Sequence, residues 1–338
     1  FDGASDLAAR RIKAVGDPNE RFTEDALRML RAVRLAAELD FLIETETMAA
    51  IQQNNKRLQH ISIERITSEF LRTVESDNAM HGIIFMEKTG LLQHFLPELL
   101  VGIGVEQGGA HAYDVYGHLL HTMQAAVDKR FSLTLRLSGL FHDIAKPQTR
   151  REGGKNKKYT FFGHEVVGAK MTKKIVERLK LPKDMSEDIV TLVRWHMFFA
   201  DPDEITLSAV RRTIARVGEH RIVDLLNLRV CDRIGMGRPK EQPFRFRKYK
   251  AMVDEALRDP ISVKMLKITG DRIMEISGEK PGKRLGYVLH ALLEEALDDA
   301  SKNTAEYLEN RCLKLLQLPE TELIELAEAG KRKQAEEE

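Results

Sequence analysis

Six histidine and aspartate side chains between positions 118 and 232 have the types and order that could bind metal: His118, His142, Asp143, His164, His196 and Asp232. Neutral imidazoles and carboxylates that converge on one point hold a divalent cation, and a cation with an open position activates water for hydrolysis. His142 and Asp143 are neighbours, about 100° apart if they lie on a helix. They share a site only if a metal sits between them, or if Asp143 bridges two. His121 lies one turn beyond His118 and is an alternative first ligand; His118 is preferred because it closes the DVxxH pattern of DVYGH. His60, His81, His94, His111, His220 and His290 read as ordinary core or surface residues. Cys231, beside Asp232, reads as a small buried filler rather than a thiolate ligand.

A second pattern lies in EDALRMLRAVR. Asp25, Arg28, Arg31 and Arg34 recur at steps of three, and each step turns back about 60°, so the row spirals slowly along one side of a helix. Thr23 is the expected N-cap, with Glu24 and Asp25 in the first turn. Leu27, Met29, Leu30, Val33 and Ala37 supply an apolar face. The residues alone equally describe a solvated amphipathic helix.

The elements that must position these groups are helical. Period-3.6 patterns predict helices around 63–74, 79–89, 118–128, 133–144, 165–179, 186–197, 207–216, 222–233, 248–258, 285–297 and 304–316. The one β signal is 159–162, after a Gly-Gly turn. The fold class is therefore all-α, and each helix can project a single ligand into a shared interior. At 338 residues the chain is long for one core and is expected to form two or three packed units. Boundaries are expected in the Gly-rich stretch 100–110 and the Gly-, Pro- and charge-rich stretch 235–243. This divides the chain into residues 1–100, 101–240 and 241–338. The last residues, KRKQAEEE, read as a frayed end.

The formal net charge of +1 gives no global field for a polyanion, so nucleic acid would have to meet local patches. Two cysteines provide no disulfide framework, which suits a reducing cytosol. No apolar run is long enough to span a bilayer and no signal peptide is visible, so a cytoplasmic location without membrane contact is expected. The chain begins at Phe1 inside the run FDGASDL, which reads as part of a longer product.

The series H…HD…H…H…D, with LFHDIAK, FFGHEVVGA and the late CDRIG, resembles the HD-domain phosphohydrolase superfamily over residues 111–235. The dipeptide alone is a weak signal; the ensemble is specific. The resemblance implies His118, His142, Asp143 and Asp232 as core ligands, with His164 and His196 completing a second metal position. It also implies catalytic roles for His142 and Asp143, and places Lys146 toward a substrate phosphate. Mixed imidazole and carboxylate ligands suit Mn, Fe, Ni or Co about equally.

The run from FDGASDL through VGDPNERFTEDALRMLRAVR, followed by ISIERITSEF, resembles the neck of class II CCA-adding tRNA nucleotidyltransferases and bacterial poly(A) polymerases. It covers residues 1–100 and continues into an HD-type body and a helical tail. The family reads cytosine and adenine by their pairing edges, where an amino donor lies beside a ring-nitrogen acceptor. An Asp accepts from the first and an Arg donates to the second. The resemblance assigns those roles to Asp25 and Arg28. It places Arg31 and Arg34 near the nucleotide as well, has Glu24 organise the helix start, and has Glu64 and Arg65 support it by pairing. Implied partners are tRNA, CTP and ATP, with Mg for nucleotidyl transfer. The family's catalytic carboxylates lie upstream of the FDG segment, so these residues alone are expected not to transfer nucleotides. Basic clusters at 146–158 and 238–250, where Arg245, Arg247 and Lys248 interleave with Phe244, Phe246 and Tyr249, are candidate RNA contacts. So are Lys280, Lys283 and Arg284. A free-standing phosphohydrolase acting on nucleotides is the alternative, and a catalytically silent RNA scaffold is a third.

Overall fold

Helix boundaries follow from capping chemistry that the chain supplies locally. Asp17 opens Pro18–Glu24 by accepting from the Asn19 N–H at 2.7 Å, Asp114 opens Val115–Asp128 by accepting from Gly117, and Ser132 opens Leu133–Phe141 through Leu135. The computed structural model describes residues 3–109, 111–154, 158–198, 205–238 and 240–328. The architecture is all-α with two small two-stranded pairings. Arg11–Ile12 runs parallel to Leu42–Ile43, and Arg151–Glu152 is antiparallel to Tyr159–Thr160, with Arg151 opposite Thr160. The 159–162 strand signal is thus met by a two-residue strand. Lys155, Lys157 and the KRKQAEEE end lie outside the described residues.

The helix expected from Thr23 starts later. Thr23 and Glu24 belong to Pro18–Glu24, Asp25 has extended backbone (φ −149°, ψ 104°), and the next helix is Leu27–Leu39. Asp25 does the work assigned to Thr23: its Oδ1 accepts from the Leu27 N–H at 3.1 Å. The acid at the break therefore precedes the helix that carries Arg28, Arg31 and Arg34.

The chain divides into two units, Phe1–Met197 with Val223–Glu241, and Phe198–Ile222 with Gln242–Glu338. In the first, packing does not break near residue 100. One buried apolar cluster runs from Phe22 to Val193, and Phe70 meets Phe95 edge-on at 5.5 Å. Buried polar groups cross the expected boundary too: Arg136 donates to the Val74 and Glu75 carbonyls at 3.1 and 2.7 Å, and Thr67 to the Leu179 carbonyl at 2.9 Å. In the second unit, Leu207–Val217 groups with the tail rather than with the histidine-bearing helices. Its buried Arg211 donates to the Leu297 and Asp298 carbonyls and to Asp259, satisfying carbonyls at the end of Lys283–Asp298. Among the described residues, no helix is long and apolar enough to cross a membrane.

Candidate metal centre and candidate nucleotide-binding turn

The six ligand candidates of the first unit come together, all buried, in two groups: His118, His142 and Asp232, and Asp143, His164 and His196. His118 projects from Val115–Asp128, His142 caps the end of Leu133–Phe141, His164 begins His164–Arg178 and His196 caps the end of Lys183–Trp195. His118 joins the first group, whereas the His121 ring stacks on Tyr113 with centroids 4.0 Å apart.

Asp143 lies between the groups. Its Oδ2 is 3.1 Å from His118 Nε2 and 3.2 Å from His142 Nε2; its Oδ1 is 3.1 Å from His164 Nε2 and 3.4 Å from His196 Nε2. Asp232 Oδ1 completes the first group, 3.3 Å from His118 Nε2. The two histidine pairs face each other Nε2 to Nε2, at 3.0 and 3.1 Å.

These residues fit divalent cations. The Nδ1 atoms of His142, His164 and His196 lie 2.9, 2.7 and 2.7 Å from the Gly139, Phe161 and Val193 carbonyls. A carbonyl can only accept, so each Nδ1 carries the proton and each Nε2 lone pair points inward. Asp143 Oδ1, buried, has no hydrogen-bond donor. Burial opposes charge on His142, but Asp143 and Asp232 outweigh it and push its pKa up to about 10. Burial likewise opposes ionisation of Asp143 and Asp232. Lys146 and His142 nevertheless hold Asp143, and His118 and His142 hold Asp232, well below the ordinary carboxylate range. Burial moves His196 below its usual value, the direction a ligand imidazole needs. The two carboxylates make the cavity favourable to positive charge.

Neighbouring residues orient this set. Lys146 Nζ sits 2.5 Å from Asp143 Oδ2 and donates to Gln107 Oε1 at 2.7 Å, so it is buried at the centre rather than part of a surface RNA patch. Gln107 in turn donates to the Tyr113 and Asp114 carbonyls, which ties the Gly-rich 101–110 stretch to the site. Arg229 donates to Asp232 Oδ2 at 2.6 Å, leaving Oδ1 toward the histidines. His111, read from the sequence as ordinary, meets His118 edge-on at 5.2 Å, and burial brings its pKa down to about 4. Gly235 allows the Asp232 helix its close approach: a Cβ there would lie 2.1 Å from Thr122 Oγ1 and 2.9 Å from the Thr122 nitrogen. Cys231 is a filler against Ala125 and Ala126, its thiol pushed up to about 12 by burial.

At the turn after Pro18–Glu24, Asp25 Oδ2 accepts from Arg65 at 2.9 Å. Partial burial raises the Asp25 pKa, but the Leu27 N–H and Arg65 outweigh it and keep the carboxyl below its usual value. Glu24 accepts from both Arg28, at 2.6 Å, and Arg21, at 3.1 Å, from the end of Pro18–Glu24 rather than from a helix start. Glu64 does not join the turn; it pairs with Lys180. A groove of about 460 Å³ opens beside Asp25, lined among others by Glu24, Arg57, His60, Ile61 and Arg65. Arg31 is half exposed near Glu69, whereas Arg34 is buried between Glu69, at 2.6 Å, and Glu38. A nucleotide contact by Arg34 would require opening that pair; its charge joins Leu27–Leu39 to Ile63–Glu75.

The other basic clusters are only partly open. Phe246 and Tyr249 turn into the core of the second unit, while Phe244, Arg245, Arg247 and Lys248 are exposed. Arg284 donates to the Leu316 and Leu318 carbonyls and so fastens the tail.

Residues 40–101 match the family described as the probable RNA and SrmB- binding site of polymerase A, and residues 111–234 match the HD domain. The chain is 34% identical over 302 residues to the A-adding tRNA nucleotidyltransferase of Deinococcus radiodurans, covering 86% of this chain and 68% of that protein. It is 33% identical over 296 residues to the CC-adding tRNA nucleotidyltransferase of Thermus thermophilus, covering 86% and 66%. A solved structure of the CCA-adding enzyme of Bacillus stearothermophilus in complex with CTP shares the fold, with a TM-score of 0.64 at 20% identity over 93% of this chain and 67% of that one. The chain thus spans about two thirds of the length of these relatives. It belongs to the CCA-adding tRNA nucleotidyltransferase family, with an HD domain following its RNA-binding region.

Proposed function

We propose that this chain is the base-reading, tRNA-holding and HD portion of an enzyme that adds C and A residues from CTP and ATP to the tRNA 3′ end, and that its HD centre hydrolyses phosphate esters. The relatives named above support the first half. Asp25 stands at an extended break beside an open groove, and its second lone pairs remain free to accept a base amino group; Arg28, one turn on, donates to the ring nitrogen. Arg65 fixes the Asp25 carboxylate and Glu24 fixes Arg28, which presents the two reading groups in one orientation.

One observation carries the hydrolytic half: Asp143 turns one oxygen toward each of two buried ligand groups. His118, His142 and Asp232 would hold one divalent ion and His164 and His196 a second, with Asp143 shared. Such ions, when bound, supply an activated water and screen the charge that develops on the phosphoryl oxygens. Lys146 orients Asp143 and presents its ammonium to the phosphate, Arg229 aims Asp232, and the carbonyl-bound Nδ1–H groups hold the rings in place.

The test is hydrolysis of 2′,3′-cyclic nucleotides and simple phosphomonoesters by the chain loaded with Mn, Ni, Co or Mg in turn. Turnover that disappears in His142→Ala and Asp143→Ala is expected. Turnover surviving both substitutions, or its absence with every metal, contradicts the hydrolytic half. For the reading half, Asp25→Ala in a nucleotidyltransferase carrying this chain should relax selection of C and A over U and G; unchanged selection contradicts it.

A further inference from the structure

The groove beside Asp25 is walled by two separate stretches, residues 22–26 around the extended break and the short helix Asn55–His60 with Ile61 and Arg65 beyond it. Most of its charges are paired: Glu24 accepts from Arg28 and Arg21, and Arg65 donates to Asp25. Arg57, exposed in the wall, has no carboxylate partner among the described residues. Its Nε donates to Asn54 Oδ1 at 2.9 Å. Asn54 is fixed in turn, its Nδ2 donating to Asn19 Oδ1 at 2.8 Å and to the Ala50 carbonyl at 2.9 Å. One edge of the guanidinium is thus tied down, while its two terminal nitrogens have no protein acceptor among the described residues. The helix that carries Arg57 is itself braced. Leu58 is fully buried, and Asn55 donates to the Thr89 carbonyl at 3.2 Å. Gln59 Nε2 lies 3.3 Å from His94 Nδ1, and His94 Nε2 lies 3.0 Å from Asn55 Oδ1. An amide nitrogen only donates, so His94 Nδ1 accepts and its Nε2–H donates, and one neutral ring clasps the short helix near either end.

We propose that Arg57 binds the phosphate of a nucleotide whose base lies at Asp25, and that Asn54 positions it for this. The inference rests on the base-reading half of the function proposed above and adds a second binding group to it. A guanidinium with both terminal nitrogens unoccupied takes a phosphate through two parallel hydrogen bonds. Because its Nε edge and its helix are held in advance, little side-chain freedom is lost when the anion arrives. Asp25 accepts an amino group and Arg57 takes an anion within one groove of about 460 Å³, so the pair suits a nucleoside phosphate better than a base or nucleoside. That chemistry is shared by a free nucleotide and by the last residue of an RNA strand, whose own 5′ phosphate links it to the chain.

The test titrates this chain with cytidine, with CMP and with a short RNA hairpin ending in CC, followed by NMR at millimolar ligand. CMP should bind about tenfold more tightly than cytidine, and Arg57→Ala should abolish that difference while leaving cytidine binding and thermal melting unchanged. Arg57→Lys, which keeps the charge without the fork, should recover only part of it. Asn54→Ala should weaken CMP but not cytidine, a split that a merely structural asparagine would not give. Equal affinity for CMP and cytidine in the unaltered chain, a difference that survives Arg57→Ala, or no binding of either ligand at the groove overturns the inference. Cytidine and uridine binding alike would instead defeat base reading at Asp25, with the phosphate difference still in place. The arms also separate the sources: a loss in Arg57→Ala confined to CMP assigns the groove to a free nucleotide, and a loss confined to the hairpin assigns it to the RNA end. A loss with neither overturns the proposal.

Discussion

Each imidazole of the HD centre has its outer nitrogen tied to a main-chain carbonyl, except His118, whose Nδ1 is buried without a partner. Charge compensation therefore falls on two carboxylates, and the two do different work. Asp143 faces both groups; Asp232 faces one. We expect Asp143→Asn to remove nearly all bound divalent metal and His196→Ala to remove about one of two equivalents, read by elemental analysis after dialysis. A full complement in Asp143→Asn would show that the carboxylate does not bridge. The six candidate ligands stood out because they fall in distinct runs, such as DVYGH, LFHDIAK with both His142 and Asp143, and FFGHE. Asp143 serving two groups was one of two arrangements left open, since sequence order says nothing about where carboxylate oxygens point. Gln107 and Arg229 were invisible, as each acts through a single contact from a distant or variable stretch. Arg34 misled for the opposite reason: it continues a row that reads as surface, and only the packing of Ile63–Glu75 shows it enclosed.

At the scale of elements, the helix period reported most of the molecule, because long amphipathic segments must bury a stripe wherever they pack. It failed at the Asp25 break, where Thr23 and Asp25 are both competent caps and only the preceding Pro18–Glu24 helix decides between them. It also passed over Thr45–Asn54 and Gly270–Ser277, whose short apolar patterns barely rise above the flanking loops. Two substitutions test the helix contacts. Gly235→Ala puts a methyl against Thr122 and should cost about 1–3 kcal/mol while lowering metal content, since Asp232 moves with its helix. Unchanged melting and metal content would mean the helices yield freely. Arg34→Ala leaves Glu69 buried without its closest cation and should cost about 3–5 kcal/mol in urea unfolding. Arg31→Ala, half exposed, should cost under about 1 kcal/mol. Comparable small losses from both would return Arg34 to the surface row.

For the whole molecule, composition marks where the chain is irregular, not where packing stops. The Gly-rich stretch expected as a boundary does not separate two cores, because Phe70, Phe95, Val115 and Leu137 on either side of it share one apolar interior. Residues 205–222 join the tail because Arg211 and its neighbours pack there, a pairing that no local signal announces. Metal should therefore act unevenly. With saturating Mn, hydrogen exchange should slow in Val115–Asp128, Leu133–Phe141 and His164–Arg178, while Lys283–Asp298 and Ala305–Leu315 stay unchanged. Uniform protection would place the ion elsewhere. The most direct measurement is anomalous scattering from crystals of this chain grown with Mn. Two peaks are predicted, one among His118, His142 and Asp232 and one among His164 and His196, with Asp143 touching both; an empty centre, or ions bound away from Asp143, would contradict the account.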